Sequence, residues 1–195
     1  MCEKISKTYL CSKCKVKLKN LLKLNTITYQ DKYFNSLTYL FRYEGKIRDK
    51  LLKYKFRDYS YLYNFFAQII INNCNLKNNY DIILPVPIHK KRKAKRGYNQ
   101  SELIAKEIAK KLNMEYYNTV LIKDINNIPQ STLTQAKRQE NVLGIYKVIN
   151  SQKIENKSIL LIDDIYTTGS TVNECSRVLK QNGARSIDVL TLAKD

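Results

Sequence analysis

The stretch Ser158-Ile-Leu-Leu-Ile-Asp163-Asp164-Ile-Tyr-Thr167-Thr168-Gly169-Ser170-Thr171 decides how this chain is read. Ser158 to Ile162 is a short, continuous apolar run, as a strand buried on both faces requires. Two carboxylates end it, and a hydroxyl-rich turn with one glycine follows. Val172, Cys175, Val178 and Leu179 then recur at helical spacing as far as Gly183, a natural C-terminal stop. Strand, turn and helix in this order place the turn at the C-terminal edge of a parallel strand, where open α/β sheets hold their ligands. The first turn of a helix leaves backbone N–H groups unpaired and carries the positive end of the dipole, which suits a phosphate. Gly169 lets the backbone approach an anion closely, while Thr167, Thr168, Ser170 and Thr171 offer hydroxyl donors. A helix cap alone needs one such hydroxyl. Asp163 and Asp164 would repel a phosphate, so they are expected to face ribose hydroxyls or a hydrated Mg²⁺. Neither a Walker A loop nor G-x-G-x-x-G occurs in the chain.

Working outward, Asp81 to Val86 reads as a second buried strand, followed by a basic loop from His89 to Arg96. Asn99 to Leu112 reads as an amphipathic helix with Leu103, Ile104, Ile108 and Leu112 on one face. Tyr117 to Ile122 and Ile145 to Ile149 are weaker strands with a short polar helix, Thr134 to Asn141, between them, and Ile187 to Leu192 is a closing strand. Upstream, Tyr39 to Tyr43 reads as a short strand and Glu44-Gly45 as a turn. Two apolar stripes follow, one at Ile47, Leu51, Leu52 and Tyr54 and one from Leu62 to Ile70. Asn72 to Asn79 resembles a linker. Strands alternating with helices predict an α/β fold with a mainly parallel sheet covered on both faces. Its expected extent is residues 80–195, preceded by a linking segment at 26–79 and a polar, cysteine-bearing piece at 1–25.

The 195 residues suffice for one good-sized core plus a small appendage. Thirty-five Lys and Arg against seventeen Asp and Glu give a net charge of +18. That field attracts polyanions, although abundant Lys, Asn, Ile and Tyr also follow from AT-rich coding; both readings stand. The longest apolar stretches, Phe65 to Ile71 and Ile82 to Ile88, are too short to cross a membrane, and no leader pattern occurs, so a cytoplasmic protein is expected. Its cysteines are then read as metal ligands or core residues.

The stretch from Pro85 to Gln100 holds six basic residues and no acid. Lys90, Lys91, Arg92, Lys95 and Arg96 can be solvated, contact pyrophosphate, or contact a nucleic-acid backbone. Following a buried strand, they share the sheet edge of the Gly169 turn, which favours an anion role.

Asp163 to Thr171 resembles the type I phosphoribosyltransferase fingerprint, in which two acidic residues precede a Thr-Thr-Gly turn. Together with P-V-P-I-H at Pro85, R-G-Y-N-Q at Arg96, then Gln130, Arg138 and Asn141, the chain resembles the ComF family of competence-associated proteins. Tyr43 to Arg48 and the Lys55-Phe56 region are similar to that family's middle section. The resemblance implies a Rossmann-like phosphoribosyltransferase domain, a hood segment and a small N-terminal zinc module. It implies that Asp163 and Asp164 hold the ribose 2- and 3-hydroxyls and that Thr167 to Thr171 hold the 5-phosphate of phosphoribosyl pyrophosphate, with Mg²⁺. Arg138 joins the basic residues as a pyrophosphate or nucleic-acid contact. The resemblance also implies a role in DNA uptake, handling single-stranded DNA beside a helicase. Two other readings stay open: a metabolic phosphoribosyltransferase acting on a nucleobase or amine, and a nucleic-acid-binding regulator that senses phosphoribosyl pyrophosphate. No general base is recognisable, which leaves turnover open, and the aromatic residues between Tyr29 and Phe66 are expected to pack the hood.

Cys11-x-x-Cys14 is half of a zinc knuckle, with Cys2 nearby. The family's first pair is also C-x-x-C; if Cys2 is its second member, the first is expected just upstream of Met1, so that a start at Met1 is too late or the ligand has been lost. His89 is a weak alternative ligand, and Cys175 is expected in the core.

Overall fold

The computed structural model describes residues 12–56, 59–77, 79–127 and 141–195. Helix α1 (Ser12–Leu21) leads into strands β1 (Asn25–Thr28) and β2 (Ser36–Arg42), then helices α2 (Gly45–Phe56) and α3 (Leu62–Asn73). Strand β3 (Ile82–Pro85), helices α4 (Lys90–Arg96) and α5 (Gln100–Leu112), and strands β4 (Glu115–Tyr116), β5 (Leu121–Lys123) and β6 (Tyr146–Val148) follow. Strand β7 (Ser158–Tyr166), helix α6 (Ser170–Gln181) and strand β8 (Ser186–Lys194) complete the order.

Six strands form one sheet in the order β1-β2-β8-β7-β3-β4, while β5 and β6 pair as a separate antiparallel ribbon. Within the large sheet only β1 runs antiparallel to its neighbour. Leu161 sits at the centre, opposite Leu84 of β3 and Val189 of β8. Alternation along β7 sends Ile159 and Leu161 to one face, with Val172, Val178 and Leu179 of α6, and Leu160 and Ile162 to the other, with Phe66, Ile70, Ile104 and Ile108. Both faces are thus covered, as a parallel sheet requires. Phe34, Phe41, Tyr54, Phe65 and Phe66 are buried and Tyr29, Tyr39, Tyr43 and Tyr63 pack against the core, so most of the upstream aromatics do pack, while Tyr33 and Tyr61 stay exposed.

Three sequence expectations change. Strand β7 does not end before the carboxylates but runs through them: Asp163 pairs with Thr191 and Ile165 with Ala193. The long partner β8 carries the ladder onward, while β3 stops with Pro85 opposite Ile162. Among the described residues one edge of Asp163–Tyr166 is therefore left without a strand. The basic stretch His89 to Arg96 is helix α4 rather than a loop, capped by His89, whose Nδ1 accepts from the Lys91 N–H at 3.2 Å, and closed by Gly97 with φ 84°. Lys, Arg and Ala are good helix formers, but α4 buries no residue, so no apolar stripe marked it. Tyr117 to Ile122 is not one strand: β4 ends at Tyr116 and β5 begins at Leu121.

The expected helix at Thr134 to Asn141 falls mainly outside the described residues, as do Gln130, Arg138, Cys2 and Cys11; Cys14 lies on α1. Leu18 and Leu21 of α1 rest on the core that α2, α3 and α5 cover. Among the described residues no helix is long and apolar enough to cross a membrane.

Asn99 ties the start of α5 to the end of β3. Its Oδ1 accepts from the Ser101 N–H at 3.2 Å and its Nδ2 donates to the Val86 carbonyl at 3.0 Å, and the residue is buried. Asn99→Ala removes a cap and strands a buried carbonyl, so it is expected to cost about 1–3 kcal/mol. A lowered urea midpoint with an unchanged slope checks this; an unchanged midpoint contradicts it.

Candidate functional site

The turn Thr167 to Gly169 joins β7 to α6 above the end of β3. Gly169 is the N-cap residue with φ 78°, and a Cβ placed there would lie 2.8 Å from Cε2 of Tyr166. The left-handed backbone and the overlying ring both demand glycine. Thr168 Oγ1 and Ser170 Oγ are 2.8 Å apart, and the Ser170 N–H points at Thr168 Oγ1 at 3.4 Å. The N–H of Asn173 closes the first helical turn on the Gly169 carbonyl at 2.9 Å. The N–H groups of Thr171 and Val172 have no acceptor among the described residues. They border an open crevice lined by Asp163, Ile165, Tyr166 and the Thr167 to Val172 turn. All five residues of the expected phosphate loop are therefore brought together at one open cleft.

The two carboxylates meet different neighbours. Asp163 Oδ1 accepts from Ser101 Oγ at 3.1 Å and from the Asp164 N–H at 2.9 Å. Burial pushes its carboxyl well above the usual carboxylate range, and the adjacent Asp164 adds to the rise; Lys55 and the two hydrogen bonds oppose it only in part. Asp164, 8% exposed, pairs through Oδ2 with Lys55 Nζ at 3.3 Å. Lys55 comes from the last turn of α2 and was not among the expected site residues.

Helix α4 divides its basic residues. Arg92 and Arg96, one turn apart, are half-buried, whereas Lys90, Lys91 and Lys95 are exposed. Arg92 Nη2 donates to the Asn127 carbonyl at 3.1 Å and Arg96 Nη1 to Gln100 Oε1 at 2.7 Å. Burial disfavours the Arg96 charge and Asp164 favours it, which puts this guanidinium on the acidic side of the cleft. Lys93 pairs instead with Glu102 at 2.7 Å. From β5, Lys123 lies 5.6 Å above the Tyr146 ring; burial, then Arg92, push its ammonium down to about 8, with Cys175 and Asp163 opposing. Lys55, Ser101 and Lys123 are the residues that sequence reasoning missed. Ser101 alone carried a local signal, beside a helix cap.

Cys175 is fully buried, as expected of a core residue, and His89 uses its Nδ1 as a cap. Cys74 is half-buried at the end of α3, where burial pushes its thiol up to about 11. Among the described residues no group of three or more His, Cys, Asp or Glu could hold a metal by itself. Chemically, the crevice offers free backbone donors to an anion and the Asp163 carboxyl to a hydroxyl, while Asp164 does not line it and is engaged by Lys55.

Residues 98–195 match the family model of the phosphoribosyl transferase domain. Competence protein F of Haemophilus influenzae is 30% identical over 115 residues, covering 58% of this chain and 50% of that protein. Competence protein ComFC of Streptococcus pneumoniae is 28% identical over 155 residues, covering 80% of this chain and 66% of that one. The chain spans about half the length of the first of these relatives. Adenine phosphoribosyltransferase from Thermoanaerobacter pseudethanolicus superposes with a TM-score of 0.43 at 15% identity, over 93% of this chain and 99% of that one.

The raised carboxyl of Asp163 has a consequence for stability. In the folded chain it keeps a proton that the unfolded chain has released above about pH 4, so stability falls as pH rises from there through the folded value. Asp163→Asn keeps the shape and removes the charge. It is expected to be more stable than the parent at about pH 7.5, with the gap closing towards about pH 4. Urea unfolding across that range checks this, and equal stability at the upper end contradicts it.

Proposed function

Because the chain belongs to the phosphoribosyl transferase domain family and, with competence protein F and ComFC as relatives, to its ComF members, we propose that its cleft binds a phosphoribosyl or nucleotide ligand in the service of DNA uptake. The observation that carries this reading is the pair of N–H groups at Thr171 and Val172, without acceptors among the described residues, beside a left-handed Gly169 and above Asp163. A 5-phosphate satisfies those donors and gains from the dipole of α6, with the hydroxyls of Thr167, Thr168, Ser170 and Thr171 around it. Asp163 and Asp164 accept from the ribose 2- and 3-hydroxyls. Arg92, Arg96 and Lys123 stand on the side from which a pyrophosphate limb extends.

Two adjacent carboxylates beside ligand oxygens form a donor set that suits Mg²⁺, which when bound would offset the charge of a departing pyrophosphate. The residues that would hold it, together with the ligand, are Asp163 and Asp164. Zinc at Cys2, Cys11 and Cys14 is supported by the cysteine spacing and the family resemblance. Single-stranded DNA is the second partner in this reading, with a DNA-uptake helicase alongside. The exposed Lys90, Lys91 and Lys95 and the net charge of +18 support contact with its phosphates. The setting is the cytoplasm.

Calorimetric titration with phosphoribosyl pyrophosphate and Mg²⁺ tests the ligand. The double substitution Asp163→Asn, Asp164→Asn is expected to weaken binding by about a hundredfold with the fold intact, since both diol acceptors lose their charge. Unchanged affinity would refute the assignment. For DNA, anisotropy of a labelled oligonucleotide should show affinity falling steeply with salt. Neutralising Lys90, Lys91 and Lys95 to Gln should flatten the log–log slope by about 2. An affinity indifferent to salt, or to those changes, removes α4 from the DNA surface.

A further inference from the structure

Lys55 is held in place far more firmly than a surface ion pair needs. Tyr54, fully buried, donates through its hydroxyl to the Gln100 carbonyl at 2.9 Å. The Tyr98 hydroxyl donates back to the Tyr54 carbonyl. Gln100 Nε2 donates to the carbonyl of Lys55 itself at 3.1 Å, and Arg96 Nη1 fixes Gln100 Oε1 at 2.7 Å. The segment Arg96 to Ser101 thus forms a bracket with two ends. One end sets Ser101 Oγ on Asp163; the other grips the last turn of α2 and sets Lys55 Nζ on Asp164. The Lys55 side chain remains 30% exposed, and its charge acts on Asp163, which lines the crevice, as well as on Asp164.

The need for such a cation follows from charge. A sugar phosphate brings about two negative charges to a site where Asp164 is already charged beside Asp163. A buried carboxylate left without a partner is costly, and Asp164 is almost wholly buried. In a site of this kind the compensation comes from a divalent ion or from the protein. Here a lysine from outside the domain that supplies the acids already stands on one of them.

We propose that Lys55 is the fixed counter-ion of the ligand site: delivered by the segment 26–79, its ammonium neutralises Asp164 and lets the sugar phosphate half of the ligand bind without a divalent cation. This rests on reading Asp163 and Asp164 as the ribose site. It makes the upstream segment part of the binding site and, with Lys55 on Asp164, leaves Asp163 and the pyrophosphate limb to hold Mg²⁺.

The test is calorimetry with ribose 5-phosphate, in EDTA and in Mg²⁺, for the parent, Lys55→Arg and Lys55→Met, with circular dichroism to verify folding. The parent should bind equally in both conditions, and Lys55→Arg should follow it. Lys55→Met should lose about tenfold or more in EDTA and recover with Mg²⁺, a pattern that lost packing alone would not give. Lys55→Gln takes its place if the Met variant fails to fold. A parent that binds ribose 5-phosphate only with Mg²⁺ overturns the proposal, as does a Lys55→Met variant that binds normally in EDTA or one that Mg²⁺ does not rescue. No binding by the parent in either condition sinks the sugar phosphate reading itself, and this proposal with it.

Discussion

Asp163 and Asp164 are neighbours on the central strand, half-buried and buried, and like charges so placed repel while losing hydration. Much of the architecture around them answers that problem. Strand β3 stops one step short, so among the described residues the acids meet no third strand. The N-terminal turn of α5, set by the Asn99 cap, presents Ser101 to Asp163. The last turn of α2, tied down through Tyr54, Tyr98 and Gln100, presents Lys55 to Asp164. Each acid therefore has its own partner from its own element. A single cation shared between them would leave the site dependent on one contact.

Charge elsewhere is sorted by the same helix that supplies part of this bracket. On α4 the two arginines are turned inwards, where planar, weakly hydrated guanidiniums tolerate partial burial, and the lysines are left in water. The excess of basic residues thus serves two distances: Lys55 and Lys123 act on Asp163 and Arg96 on Asp164 at close range, and the outer lysines shape the field beyond them.

The parts of the molecule legible in its sequence are those whose signals are local. A buried strand, a glycine that must take φ near 78° and an amphipathic helix lie within the 26 residues from Ser158 to Gly183 and need no distant partner to be recognised. Asn99 and the stripe at Ile104 and Ile108 announced α5 in the same way. Helix α4 was misread because periodicity detects an apolar face and α4 has none. Strand β7 was cut short because carboxylates look like the end of a strand, whereas its length is set by β8, a partner named nowhere in the local sequence. Lys55 and Lys123 were illegible for a stronger reason: in a chain with thirty-five basic residues, only the folded path says which of them meets an aspartate.

Strand β8 is inserted between β2 and β7, with Leu37 and Leu161 both opposite Val189. Among the described residues β2 and β7 do not pair with each other, so the β1–β2 hairpin meets the carboxylate-bearing strand through β8. Pairings so distant in sequence close more slowly than those of neighbouring hairpins, which makes this junction the slow step in assembling the sheet.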